Sequence, residues 1–218
     1  MRNQKMIIAA TFASLFTAFS SAHATTSHLV DSGTAVELSL GSSLATTQPD
    51  CTVDVSVSFT AASSVQRVGG TSGTGAGLQA FLVVTDLCMG TVEFGSIDAS
   101  LASGALSVAS RSATLKASFV VTMTVFDPAF NQIGTRNRTL AMSSLVFDAV
   151  GTESSVSKTH VHFRYPTFSS VSNGQTVEKP ANVSGSVALD GQLLLPNPTS
   201  AYTASFDTSH SVSVTINK

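Results

Sequence analysis

The sequence predicts an all-β protein, an antiparallel β-sandwich of the Ig-like or jelly-roll type with roughly ten strands and one disulfide bond. The first observation is that apolar and polar residues alternate over long stretches, as in strands that bury one face. The second is composition, because only 11% of residues are charged while 35 are Ser and 26 are Thr. The third is that the chain has two cysteines, Cys51 and Cys88, behind an export signal.

The composition also excludes several classes of protein. With 11 basic and 13 acidic residues, the chain has no excess of positive charge to bind nucleic acid, so we expect no such partner. Two cysteines are too few for a disulfide-rich mini-protein, and 43% hydrophobic residues are too many for a charged disordered chain. A globular β-protein with a surface rich in Ser and Thr remains.

Residues 1–24 have the features of a secretory signal peptide. Arg2 and Lys5 form the basic start, residues 6–19 form the apolar run, and residues 22–24 give the small-x-small cleavage pattern. The apolar run is shorter than the ~20 residues that a membrane-spanning helix needs. We therefore expect a secreted or periplasmic protein of bacterial type.

Export favours a structural role for the two cysteines, because thiols in an oxidising compartment form disulfides by default. We predict a Cys51–Cys88 bond. We assign residues 25–48 to a partly ordered N-terminal segment and 49–218 to one β-sandwich domain. Two Ig-sized units of about 100 residues are the alternative, with the boundary in the Ser-, Ala- and Gly-rich stretch 99–112.

Individual strands are predicted where the period-two pattern is strongest. Residues 51–60, 114–125 and 211–216 each place apolar side chains on one parity and Ser or Thr on the other. Asn173-Gly174 and Asp190-Gly191 are predicted as two-residue hairpin turns, because both dipeptides adopt the positive φ angles that such turns require.

The Gly-rich stretch 69–77 lies between the two cysteines. A phosphate-binding loop would be followed by a helix and usually by a Lys-Ser or Lys-Thr pair, and neither is present. We predict that this stretch is a mobile loop.

The strongest candidate for chemistry is a basic cluster on a predicted strand, where Lys158, His160, His162 and Arg164 share one face. Two histidines at this spacing are candidate ligands for one zinc or copper ion. The third ligand would come from elsewhere in the chain; the residues of a suitable type are His28, His210, Asp148, Glu153 and Asp207.

Lys158 and Arg164 oppose metal binding, because two cations on the same face repel a divalent ion. A second interpretation is a solvated strand face on which histidine is an ordinary polar residue. A third is a small cationic patch that binds an acidic or sugar partner. We therefore assign no metal and no cofactor, and we keep His160 and His162 as metal candidates and all four residues as a candidate binding patch.

No nucleophile elbow of the form Gly-x-Ser-x-Gly occurs, and no close pair of acids suggests glycoside hydrolysis. The first functional hypothesis is therefore an exported, non-catalytic surface, adhesive or assembly protein, with another protein or a surface glycan as partner. The signal, the single early disulfide and the alternating strands resemble those of bacterial pilus subunits. The C-terminus, residues 215–218, departs from the aromatic assembly motif of that family, so we do not assign the chain to it.

Two other hypotheses follow from particular segments. A membrane-active, pore-forming protein needs a long hairpin with one apolar face, and residues 112–126 with 133–147 are the candidate. Only this hypothesis requires a membrane partner. A metal protein or enzyme centred on His160 and His162 is the third.

Overall fold

The computed structural model describes residues 26–46, 51–68, 71–152 and 154–217. The predicted signal peptide, residues 1–24, lies outside the described residues. The predicted all-β antiparallel fold is confirmed, since the described residues form one sheet of 11 strands. In chain order the strands are β1 Thr26–Ala45, β2 Thr52–Val68, β3 Thr71–Asp86, β4 Thr91–Ser100, β5 Leu106–Val108, β6 Ser112–Phe126, β7 Gln132–Ala149, β8 Ser155–Arg164, β9 Phe168–Leu189, β10 Gln192–Leu195 and β11 Ala201–Asn217.

The sheet folds over into two layers, as in a sandwich. The first layer has the strand order β8-β9-β11-β1-β2-β3-β4, with every neighbouring pair antiparallel. The second layer has the order β10-β9-β7-β6-β5. Strand β9 belongs to both layers, because residues 168–180 pair with β11 and residues 181–189 pair with β7. A short pairing of β4 with β6, from Val92 to Phe94, joins the layers at the other corner.

One hydrophobic core lies between the layers. Val36, Leu38 and Leu40 of β1 belong to the same cluster as Leu140 and Phe147 of β7, and all of them are almost completely buried. The rings of Phe59 and Phe147 meet edge to face, with centroids 6.2 Å apart, across the two layers. The alternation of apolar and polar residues thus places one side of each strand in this core.

Strand β1 corrects the predicted start of the domain. Residues 25–48 were assigned to a partly ordered segment before the sandwich, but β1 pairs with β2 on one side and β11 on the other, in the middle of the first layer. The pattern Val36-Glu37-Leu38-Ser39-Leu40 is a strand signal, but the Ser, Gly and Thr of residues 32–34 resemble a linker. Cross-strand hydrogen bonds, which no local pattern reports, hold this first half of β1 in the sheet.

Two predictions from glycine are also corrected. The Gly-rich stretch is strand rather than loop from Thr71 onward, because β3 pairs residue by residue with β2. Asn173-Gly174 is no turn and lies inside β9, between β8 and β11. A Cβ added at Gly174 would lie 2.6 Å from Thr159 Oγ1, so glycine serves close packing there.

Other local predictions are confirmed. Asp190-Gly191 forms the β9–β10 turn, with φ angles of 51° and 83°. The predicted hairpin forms as β6 and β7, and Asp127 in its turn accepts hydrogen bonds from the backbone N–H groups of Ala129 and Asn131. The Cys51–Cys88 disulfide is present. It links two positions 37 residues apart, which corresponds to about 4 kcal/mol in the chain-entropy model.

Candidate interaction surface

Part of the first layer extends beyond the second layer, and we call this part the projecting sheet. Its strand order is β8-β9-β11-β1-β2-β3. It consists of residues 155–164, 168–178, 207–217, 26–35, 62–68 and 71–77. None of these residues is buried, whereas the same strands are buried on one face further along. The projecting sheet is therefore solvated on both faces.

The inner face of the projecting sheet is the continuation of the face that packs in the core. On β1 it carries the side chains of even-numbered residues, which point to the same side as Val36. The strand register continues this face across the neighbouring strands without a bulge. Its apolar side chains are mainly valines, of which Val65 is 37% and Val156 is 50% exposed. A sheet face of this kind is usually covered by a second layer.

The inner face also holds the predicted basic cluster. The structure places Lys158, His160, His162 and Arg164 on it, on the edge strand β8, where all four are exposed. Three further basic side chains, which the sequence could not connect with this cluster, share the face through the register of the other strands. These three are His28, Arg67 and His210.

The histidines contact polar neighbours in adjacent strands. His160 Nδ1 lies 2.6 Å from Asn173 Oδ1, and His210 Nδ1 lies 2.9 Å from Ser32 Oγ. Within the described ranges, no group of three or more His, Cys, Asp or Glu side chains is placed to hold a metal ion. The metal hypothesis for His160 and His162 stays a prediction.

The predicted candidates for a third metal ligand are scattered. His28 shares the inner face but stands on β1, two strands beyond β9, which pairs with β8. Asp207 is on the opposite face, and Asp148 is in β7 of the second layer. Glu153 lies outside the described residues.

The outer face of the projecting sheet carries many small polar residues and three acids, with larger apolar side chains such as Val161 and Phe163 on the edge strand β8. Hydroxyl pairs connect its strands, with Ser213 Oγ donating to Ser172 Oγ at 2.8 Å and Thr215 Oγ1 donating to Ser170 Oγ at 3.0 Å. Its acids are Asp31, Glu178 and Asp207, and the register places no Lys or Arg on this face. The two faces therefore differ in the sign of their charge.

Asp207 is the most perturbed of these acids. Burial, together with the negative charges of Glu37 and Glu178, raises the pKa of Asp207 from 3.8 to about 7. One carboxylate oxygen each of Asp207 and Asp31 is buried without a hydrogen-bond partner in the described part of the chain. The outer face thus holds negative charge that its own strands do not compensate.

The projecting sheet has two free edges. Strand β8 pairs only with β9, so its other edge has no strand beside it in the described parts of the chain. On the opposite side, β4 pairs with β3 only from Gly77 onward, and residues 71–75 are left as an edge. Unpaired edges carry backbone N–H and C=O groups that can pair with another chain.

The rest of the molecule, where the second layer packs on the first, we call the covered half. It contains a second polar cluster, which sequence reasoning missed. Glu93 of β4 is 1% exposed, and its carboxylate accepts hydrogen bonds at 2.9 Å from Arg136 Nη1, Arg138 Nε and Arg138 Nη2. Asp190 accepts a further bond of 2.8 Å from Arg138 Nη1, and Glu93 and Asp190 together raise the pKa of Arg138. The alternation of β4 alone indicates that Glu93 points inward, on the same face as Gly95. A buried acid requires a basic partner, and such an ion pair was not inferred from the sequence.

A shallow cavity of about 350 Å³ opens beside β1 and β2 in the covered half. Hydroxyls of Ser42, Ser43 and Thr199 and the carboxylate of Asp54 line it. Ser43 donates to Asp54 at 2.6 Å, and Thr199 donates to the Ser43 carbonyl at 2.8 Å, so these groups are engaged with one another, whereas the buried Oγ of Ser42 has no hydrogen-bond partner in the described part of the chain.

Comparisons with protein-family models, with curated proteins and with solved structures found no match. In the described part of the chain there is no helix long and apolar enough to cross a membrane. Geometry and charge are therefore the basis for assigning a function.

Proposed function

We propose that this is an exported, non-catalytic surface, adhesive or assembly protein that contacts its partner through the projecting sheet. The observation that carries the proposal is the inner face, which continues the core-facing side of the first layer but is not covered by a second layer among the described residues. A partner would supply the missing layer, and the valines there gain free energy when they are removed from water.

The chemistry of the inner face favours a partner that offers both apolar and acidic groups. Valines alternate with seven basic or imidazole side chains, so a covering surface gains both apolar contact and charge pairing. Another protein or an acidic surface glycan has this chemistry. The disulfide supports an oxidising compartment for the protein, as the export signal predicts.

The experiment compares two valine substitutions in the chain without residues 1–24. Val65→Glu places a carboxylate on the inner face, and Val120→Glu makes the same change on β6, where Val120 is 68% exposed. Binding to bacterial cell surfaces, to an acidic-glycan array and to the protein itself is measured for each variant. We expect Val65→Glu to lose at least tenfold in affinity and Val120→Glu to bind as the unmodified protein does.

Circular dichroism and thermal unfolding establish that both variants fold. Equal binding by both variants, or no binding by the unmodified protein to any of these targets, contradicts the proposal. The membrane-active hypothesis stays a prediction with its own test, dye release from liposomes. In that hypothesis Val121, Met123 and Leu140 of the β6–β7 hairpin would have to leave the core, where they are buried.

A further inference from the structure

We infer that the partner of the projecting sheet is a second copy of this chain, which places its outer face on the inner face of the first. This inference rests on the proposed function, because it names the surface that supplies the missing layer. Each copy then presents its own inner face to the next copy. The result is a stack of projecting sheets.

Charge is the first argument for the second copy. The inner face carries Arg67, Lys158 and Arg164 together with four histidines, and the register places no acid on it. The outer face carries acids and no Lys or Arg. In the described part of the chain, ion pairs join only Arg136 and Arg138 to Glu93 and Asp190, so the charges of both faces lack ion-pair partners within the copy. The outer face of a second copy has the charge that the inner face requires.

Shape is the second argument. In the middle of the outer face, around Gly33, the neighbouring residues are small, among them Ser64, Ser209 and Gly75, and a Cβ added at Gly33 would lie 2.8 Å from Ser209 Oγ. Such a low surface lets a second sheet approach to the roughly 10 Å spacing of stacked sheets. The larger Val161 and Phe163 stand at the edge, on β8. The valines and imidazoles of the inner face are the longer side chains that would fill the space between the sheets.

Area is the third argument. Six strands at about 4.8 Å spacing, each with about nine residues at about 3.3 Å, give a face on the order of 850 Å². A stable protein interface covers about 800 Å² on each partner. One face of the projecting sheet is thus as large as a standard interface.

The contact joins two different surfaces, so it does not close into a two-fold dimer. Heterologous contacts generate rings or open filaments, depending on the rotation between copies. The second layer of the first copy occupies the space beside its projecting sheet. The covered half of the second copy must therefore extend in the opposite direction.

Charge reversal tests the inference on the chain without residues 1–24. The inner-reversed variant carries Lys158→Glu and Arg164→Glu, and the outer-reversed variant carries Asp31→Lys and Glu178→Lys. Sedimentation velocity measures association over a range of protein concentrations at low and high salt. We expect the unmodified protein to associate, to do so less at high salt, and each variant alone to need at least tenfold more protein.

The decisive sample is the equimolar mixture of the two variants. Its acidic inner faces meet basic outer faces, and its basic inner faces meet acidic outer faces, so association returns to within about threefold of the unmodified protein. A mixture that stays monomeric while both variants are folded overturns the inference. Association that is unchanged in both variants also overturns it, because a contact between oppositely charged faces would respond to charge reversal.

The two proposals fail differently. If the unmodified protein is monomeric and still binds cells or glycans in a manner sensitive to Val65→Glu, the second copy is the wrong partner and the proposed function stands. If it associates through a surface that neither Val65→Glu nor charge reversal affects, both proposals fail.

Discussion

The two halves of strand β1 have similar alternation and opposite environments. In the covered half, Val36 is completely buried against the second layer. In the projecting half, Val30 points to the same side of the same strand and is only partly buried, because in the described part of the chain no second layer lies over it. The alternation of a strand therefore indicates which face is apolar and does not indicate whether that face is covered.

The halves also treat charge differently. In the covered half the inward-facing Glu93 is paired with two arginines of β7. In the projecting half cations and acids are on opposite faces of one sheet and do not meet within the copy. A buried charge must be neutralised inside the molecule, whereas a solvated charge is available to a partner.

The largest expected effect distinguishes the two halves of β1 directly. Val36→Ala removes two methyl groups from a closed core and should lower the free energy of unfolding by about 2 kcal/mol. Val30→Ala, six positions earlier, should lower it by less than about 0.5 kcal/mol. Urea unfolding of both variants measures the difference. Equal losses would mean that the inner face is covered within a single copy.

The second prediction concerns the ion pairs of the covered half. Glu93→Gln leaves Arg136 and Arg138 without their main carboxylate and should cost about 1.5–2 kcal/mol of stability. This is less than the ~3–5 kcal/mol for a fully buried pair, because Arg136 keeps 56% of its side chain exposed and Arg138 retains Asp190. The control is Asp98→Asn on the same strand, where the carboxylate is exposed and the expected change is near zero. If Glu93→Gln leaves the stability unchanged, the two arginines are equally well solvated without the carboxylate.

Sequence reasoning succeeded where local pattern and environment agree. The Asp190-Gly191 turn, the β6–β7 hairpin and the disulfide each depend on a local or compartment rule, and each is confirmed. Asn173-Gly174 carries the same turn signal as Asp190-Gly191 and yet lies within β9. There the neighbouring strands β8 and β11 extend the sheet past it, and tertiary pairing overrides the local preference.

The candidate surface was predictable only in part. Strand parity was enough to place Lys158, His160, His162 and Arg164 on one face. Adding His28 and His210 to that face required the register of β1, β9 and β11, which depends on pairs more than 30 residues apart in sequence. The same long-range register determines that the acids lie on the other face.

The third prediction uses the acid whose pKa is displaced in the projecting half. Because the pKa of Asp207 is raised to about 7, the native state binds a proton more readily than the unfolded state between about pH 4 and 7. Ionisation of Asp207 therefore destabilises the native state. This destabilisation is largest above pH 7 and decreases as the pH falls below 7. Asp207→Asn should raise the melting temperature most at pH 8 and clearly less at pH 5, and the gain should disappear below about pH 4, where the carboxyl is protonated in both states.

The control for Asp207 is Asp148→Asn in the covered half, where the carboxylate is exposed. It should show no difference in melting temperature between the two pH values beyond that of the unmodified protein. A gain from Asp207→Asn that is equal at pH 8 and pH 5 would contradict a charge effect and indicate a packing effect of the amide.

The smallest expected effect compares two glycines on the outer face of the projecting sheet. At Gly75 an added Cβ meets nothing within 4 Å, and its φ is outside the left-handed region, so Gly75→Ala should stabilise by up to about 0.5 kcal/mol through the unfolded chain. At Gly174 the added Cβ would crowd Thr159 Oγ1, so Gly174→Ala should destabilise by about 1 kcal/mol. If β8 is held against β9 as described, urea unfolding should show that Gly75→Ala raises the free energy of unfolding and that Gly174→Ala lowers it. The same sign for both would mean that β8 moves away easily, and that the edge strand with the basic cluster contributes little to the order of the projecting sheet.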